Sequence, residues 1–154
     1  MAAFRSVLKG APDQLLARAA GGEVVQNPRG REIGTVRVQL TEAGRKDVLF
    51  ASWADRPEID VQATHLDAVD PLPPGAEVLA SNENTAAQAY RLSETVAGVQ
   101  FHPELWAEAM RDLILSRRDK LTAEGRDAEA LARKVREVDA GAVLRAFAEQ
   151  AQRS

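Results

Sequence analysis

One short segment of this sequence, residues 98–104, has residue types and spacing suited to proton transfer. We predict a strand that runs into His102, followed by Pro103 and then by Glu104 in the first turn of a helix. A carboxylate two residues from an imidazole can accept a hydrogen bond from one ring nitrogen and leave the other nitrogen to act as a base. His102 and Glu104 are therefore the candidate catalytic pair.

The same two residues also fit a purely structural role. A histidine at the end of a strand needs no ligand, and an acid in the first turn of a helix is favoured by the helix dipole alone. From the residue types and spacing, both interpretations stay open.

The composition excludes several classes of function. A chain of 154 residues with 45% hydrophobic and 28% charged residues fits one folded domain, and a net charge of -3 argues against a nucleic-acid or polybasic membrane ligand. The sequence contains no cysteine, which excludes disulfides, thiolate metal sites and a cysteine nucleophile. Its two histidines make a poor case for a metal site, so we expect neither metal nor cofactor.

No apolar run reaches the ~18 residues that a membrane span requires, and the first residues lack the apolar stretch of a signal peptide. We therefore expect a cytoplasmic protein.

The residues before Pro103 predict an α/β arrangement. Pro12 begins a helix that extends to Ala20, and Gly21 and Gly22 close it. Short apolar segments predict six strands, and the last three follow one another too closely for a helix to intervene, which favours antiparallel pairing. The predicted strands are 23–26, 33–40, 59–63, 77–80, 86–92 and 96–101.

After Pro103 the apolar residues repeat at helical spacing and predict three helices. Gly125 ends the first helix, and Asp127 caps the second. We expect a single domain with an α/β part at 1–104 and a helical tail at 105–154.

Several blocks resemble class I glutamine amidotransferases. Residues 98–104 look like the His-Glu motif of that family, residues 64–69 and 72–80 resemble the segment before its last strands, and residues 14–22 resemble the helix after its nucleophile. The blocks occur in the family's order from about Val7 to Phe147, and the tail is most similar to stand-alone relatives of the GMP-synthase type.

The resemblance implies the C-terminal part of a flavodoxin-like fold, in which helices flank a sheet, with a C-terminal helical extension. It implies glutamine hydrolysis that delivers ammonia to an acceptor, with His102 and Glu104 as catalytic residues. It also places Gln14, His65 and Asp67 near the substrate glutamine. A polar turn after a strand explains His65 and Asp67 equally well, and an exposed helix N-terminus explains Gln14.

The sequence departs from the family at the nucleophile. The family's Gly-x-Cys-x-Gly-x-Gln turn corresponds to residues 8–14, where the cysteine position falls near Gly10 and Pro12 stands near the second glycine. The family's leading strands and one oxyanion-hole loop have no counterpart here. We therefore expect a truncated, non-catalytic protein, either a gene remnant or a chain shortened from a longer ancestor.

Two other hypotheses stay open. The chain is either a binding module that keeps the glutamine pocket or a partner surface, or an enzyme that receives its cysteine from another polypeptide. The missing strands also predict an uncovered sheet edge, and with it self-association, marginal stability or a synthetase partner.

Overall fold

In this computed structural model, the described residues are 7–8 and 11–152, with side chains described from Leu15 onward. In this part of the chain, eight strands form two sheets: β1 (Val7–Leu8), β2 (Val24–Gln26), β3 (Glu32–Leu40), β4 (Glu58–His65), β5 (Asp67–Val69), β6 (Glu77–Ser81), β7 (Ala89–Ser93) and β8 (Val96–Val99). The helices are α1 (Ala11–Ala19), α2 (Glu42–Lys46), α3 (Ala107–Ser116), α4 (Arg118–Ala123), α5 (Ala128–Arg133) and α6 (Gly141–Gln152), with a 3-10 helix at Val48–Trp53.

The larger sheet has six strands in the order β1-β8-β7-β6-β3-β4. β1 runs parallel to β8, whereas the other neighbours pair antiparallel. The predicted antiparallel pairing of β6, β7 and β8 is therefore confirmed. β2 and β5 form a separate antiparallel ribbon that the sequence did not predict as a pair.

Helix α1 ends as its sequence predicted. Gly21 has a φ of +91°, and the Gly22 amide donates to the carbonyl of Ala17 at 2.8 Å. This is the glycine-dependent end that satisfies the last carbonyls of a helix. At the start of α5, the Asp127 side chain accepts from the Ala130 amide at 3.1 Å, so the predicted cap is also confirmed.

Two apolar clusters hold the helices against the sheet. In the first, Val38 and Val61 of the sheet pack with Phe50 of the 3-10 helix and with Val143 of α6. In the second, Ile33 at the start of β3 packs with α3 residues such as Ile114. The helices after Trp106 therefore pack on the same sheet whose strand β8 leads to His102, while the division at residue 104 stays a prediction.

Candidate active site

His102 and Glu104 are in direct contact. His102 Nδ1 lies 2.9 Å from Glu104 Oε1, and the two side chains are 15% and 28% exposed. A carboxylate only accepts hydrogen bonds, so with Glu104 ionised the ring carries its hydrogen on Nδ1. The lone pair of Nε2 is then left for a substrate, which is the arrangement that a general base requires.

The backbone around this pair differs from the sequence prediction. β8 ends at Val99, and α3 begins at Ala107, so Glu104 lies in a turn and not in the first turn of a helix. Because β8 ends three residues before His102, the prediction of a strand running into His102 was also wrong. The His102 amide donates to the carbonyl of Gln62 on β4 at 2.7 Å, and the Leu105 amide donates back to His102 at 3.2 Å. These bonds fix an irregular segment in which Glu104 folds back onto the ring.

A glycine allows close packing of β8, the strand that leads to His102 and Glu104. Gly98 lies opposite Tyr90 in the β7–β8 ladder, and a Cβ at Gly98 would lie 2.8 Å from the ring of the buried Tyr90. Only glycine allows this close approach of strand and ring. β8 therefore passes close to the ring of Tyr90, and three residues after Gly98 the side chain of Phe101 is fully buried.

The other candidate residues lie at the end of β4. His65 is buried, and its Nδ1 lies 3.1 Å from the carbonyl oxygen of Asp67. A carbonyl oxygen only accepts, so Nδ1 donates this hydrogen bond. The Asp67 carboxylate is half-exposed and has no hydrogen-bond or ion-pair partner within the described part of the chain. Gln14 lies in α1, but its side chain falls outside the described residues.

Glu32 is a residue of this region that the sequence did not single out. His65 Nε2 lies 3.4 Å from Glu32 Oε2, which is an ion-pair distance rather than a well-formed hydrogen bond. Both side chains are 6% exposed. A buried carboxylate needs several donors to remain ionised.

The structure supplies those donors from the segment between β6 and β7. Burial opposes ionisation of Glu32, but the nearby His65 and the hydrogen bonds from Asn82 and Thr85 outweigh it and lower the pKa of Glu32. Four side chains donate to its carboxylate: Asn82 to Oε1, and Asn84 at 3.3 Å, Thr85 at 3.1 Å and Gln88 at 2.7 Å to Oε2. We call Glu32, His65 and these four residues the Glu32 network.

The structure joins the predicted site residues in two separate groups. His102 contacts Glu104, and His65 contacts Asp67, but no described hydrogen bond links one group to the other. The nucleophile position predicted near Gly10 lies outside the described residues, as does Lys9. Leu8 of β1 lies opposite Gly98 of β8, and the two strands are parallel, so the carboxyl end of β1 lies at the end of the sheet where β8 leads to His102.

Within the described residues, no group of three potential ligand side chains is placed to hold a metal ion. In the same part of the chain, no helix has the length and apolarity to cross a membrane.

The fold, the His-Glu pair and the flanking segments define a class of protein. The family model of class I glutamine amidotransferases matches residues 13–119, which is well over half of the chain. This chain therefore belongs to the class I glutamine amidotransferase family.

Individual relatives agree with this assignment. A Schizosaccharomyces pombe protein, named provisionally as glutamine amidotransferase-like, is 32% identical over 121 residues, which are 78% of this chain and 46% of the relative. One subunit of a glutamine-hydrolysing GMP synthase from Sulfurisphaera tokodaii is 37% identical over 93 residues, which are 60% of this chain and 46% of that relative. The chain thus spans less than half the length of the curated relatives that it resembles.

Solved structures show the same fold. The crystal structure of a glutamine amidotransferase from Thermotoga maritima superimposes with a TM-score of 0.75 at 24% identity, covering 95% of this chain and 61% of that one. The predicted α/β fold of the amidotransferase type, with helices flanking the sheet, is confirmed.

Proposed function

We propose that this chain is a glutamine amidotransferase-like protein that is non-catalytic as a lone polypeptide of 154 residues. One observation carries the proposal: the chain keeps the His102–Glu104 contact at 2.9 Å but contains no cysteine.

The family's reaction explains why this combination is inactive. A cysteine thiolate attacks the side-chain amide of glutamine, a glutamyl thioester forms, ammonia leaves for an acceptor, and water releases glutamate. Covalent catalysis requires a nucleophile within about 3 Å of its base. His102 Nε2 can act as the base, but this polypeptide contains no thiol from which it could take a proton.

Water is a poor substitute for the thiol. A water molecule activated by His102 would attack the amide in a single step and would forgo the covalent intermediate. Each lost oxyanion donor would lower the rate by a further ~10²–10³. Glutamine hydrolysis by the chain alone should therefore stay at background.

A glutaminase assay tests this proposal. Ammonia release by the wild-type chain should equal that of His102→Ala, because neither protein can form the thioester. A wild-type rate that His102→Ala abolishes would show that the site is active and would end the non-catalytic proposal.

A second function is favoured by the segment that follows β4. We propose that Gln14, His65 and Asp67 contact glutamine, in which case the chain is a glutamine-binding or partner-binding regulatory module. Support comes from the Asp67 carboxylate, which is half-exposed and has no partner in the described residues, so that it can accept a bond from an ammonium group.

Thermal unfolding distinguishes this second function. A ligand at 100 times its Kd stabilises the folded state by ~2.7 kcal/mol, so glutamine should raise the Tm if the pocket binds it. Asparagine, which is one methylene shorter, is the matched control ligand. An equal effect of both amino acids, or no effect of glutamine, would count against a glutamine pocket.

Partners are also part of the proposal. The relative from Sulfurisphaera tokodaii is named as one part of a GMP synthase, and we propose a synthetase or a second copy of this chain as partner in the cytoplasm, with neither nucleic acid nor membrane as ligand. If a cysteine-bearing partner supplies the nucleophile, the two proteins should co-purify in equal amounts and hydrolyse glutamine together. Sedimentation of the purified chain decides whether it associates with itself.

A further inference from the structure

A cavity lies beside Leu66, in the short turn between β4 and β5. It measures about 490 Å³ and is lined by three segments of the fold. The loop before β3, the β4–β5 turn and the turn after α4 contribute Gln26, Arg29, Gly30, Arg31, Leu66, Glu124 and Arg126. A volume of this size suits a small metabolite.

The charge of this cavity is unbalanced. Its lining holds three arginines and one carboxylate, whereas the whole chain has a net charge of -3. The carboxylate of Glu124 is fully engaged by Arg31, whose Nε lies 3.1 and 2.9 Å from its two oxygens and whose Nη2 lies 2.9 Å from Oε1. One arginine is thus neutralised, and the other two are not.

The surroundings add to the positive charge. The hydrogen bond from Arg31 lowers the pKa of Glu124 against an opposing effect of burial, and the charges of Arg31, Lys120 and Arg126 act in the same direction as the hydrogen bond. The field at this point of the surface therefore favours an anion.

The two remaining arginines have donors to spare. Arg126 uses Nη1 for the carbonyl of Arg31 at 2.8 Å, which anchors the side chain at the cavity wall. The backbone amide of Arg29 donates to Asn27 Oδ1 at 2.9 Å, while its guanidinium has no partner among the described residues. An anchored guanidinium beside a free one is an arrangement that can bind two oxygens of a phosphate or carboxylate.

We propose that this cavity, which we name the arginine pocket, binds a small anion through a phosphate or carboxylate group. Arg126 and Arg29 donate to the anion, and the Arg31–Glu124 pair forms a rigid wall behind it. The proposal does not depend on glutamine binding, because it rests on residues outside the candidate active site.

Titration calorimetry on the 154-residue chain tests the proposal with two probes, inorganic pyrophosphate and malonate. At least one probe should bind saturably. Binding of pyrophosphate alone assigns a phosphate ligand, binding of malonate alone assigns a carboxylate ligand, and binding of both supports the shared chemistry. If neither probe binds saturably, the proposal is wrong.

Matched variants locate the binding. Arg29→Gln should weaken the Kd by about tenfold, which is ~1.4 kcal/mol, because it removes a charged donor. Arg56→Gln removes an equally exposed arginine that lines a different cavity, and it should leave the Kd unchanged. Equal losses in both variants would mean that the anion responds only to overall charge, and an unchanged Kd in Arg29→Gln would remove the anion from this pocket. Arg126→Gln should also weaken the Kd, and thermal unfolding of this variant checks that the wall of the pocket remains folded.

Discussion

The two histidines of this chain have opposite surroundings. His102 is paired with Glu104, a carboxylate two residues away, and both side chains remain partly exposed at 15% and 28%. His65 is paired with Glu32, a carboxylate from another strand, and both side chains are only 6% exposed. One pair is local and open, whereas the other is assembled from distant segments and closed.

This difference indicates two different roles. An open histidine with one ring nitrogen free can act on a ligand, but it contributes little to stability because water can replace its partner. A closed pair cannot exchange its partners for water, so that its removal leaves buried polar groups without hydrogen bonds. We therefore propose that His102 is the histidine placed to act on a ligand, and that Glu32 and His65 mainly fix the shape of the β4–β5 turn.

The largest expected effect is that of Glu32→Ala on the free energy of unfolding. Four side-chain donors and His65 would lose their shared acceptor, so we expect a loss of about 3–5 kcal/mol. Urea unfolding measures it. Glu108→Gln, at an exposed position on α3, is the control and should stay within ~0.5 kcal/mol of wild type.

A loss in Glu32→Ala as small as that in the control would mean that the Glu32 network does not contribute to the fold. The Glu32–His65 pair and the His102–Glu104 pair would then contribute similarly to the free energy of unfolding, and the distinction between them would be wrong.

The second effect is a pH dependence of stability. The pKa of Glu32 is lower in the folded chain than its ordinary value of about 4.3, so the folded state is favoured above that value. The contribution is lost as the pH falls from about 4.3 through the lower folded-state pKa. Unfolding curves between pH 7 and pH 3 should therefore show a steeper acid loss for wild type than for Glu32→Gln.

The isosteric amide keeps the shape of the side chain and removes its titration, so the two curves should converge at low pH. Parallel curves would show that Glu32 carries no stabilising charge in the folded state.

The third effect separates the two histidines directly. We expect His65→Ala to lower the free energy of unfolding by about 1–3 kcal/mol, because it leaves Glu32 and the Asp67 carbonyl with fewer donors. His102→Ala should cost less than ~1 kcal/mol, since the His102–Glu104 pair is partly exposed. Differential scanning fluorimetry of the two variants side by side is sufficient, and equal shifts in Tm would contradict the distinction.

The sequence predicted the regular part of this fold well, for an identifiable reason. In β3 and β4, long stretches are apolar or alternate between apolar and polar residues. The segments between β6, β7 and β8 are too short to contain a helix, which favours antiparallel pairing. These signals are local, so one sequence is enough to find them. By contrast, the 3-10 helix at Val48–Trp53 was missed because its apolar run has no clear period.

The errors at the candidate site have a long-range cause. Pro103 is tolerated in a first helical turn, which is why Glu104 was placed there. The hydrogen bond from the His102 amide to Gln62 overrides that preference, and α3 begins only at Ala107. Glu32 was missed for a similar reason, since its donors lie far along the chain between β6 and β7 and nothing near residue 32 indicates them.

The smallest expected effect is that of Gly10→Cys, which we predict to leave glutaminase activity at background. Residue 10 follows β1 in the sequence, and the carboxyl end of β1 lies at the end of the sheet where β8 leads to His102. The variant therefore supplies the group that the sequence lacks. Position alone is not enough, because the family presents its cysteine on a sharp turn between glycines. In the stretch from Leu8 to Gln14, Pro12 stands at the position of the second glycine, and the fixed φ of proline forbids the backbone geometry that a glycine allows there. We therefore expect no thioester to form at a cysteine in position 10, even with the base of His102 in place. Mass spectrometry after incubation with glutamine is the sensitive measurement, with Gly10→Ser as the matched control. A glutamyl adduct on Gly10→Cys that is absent from the control would show that the open His102 site lacks only a thiol.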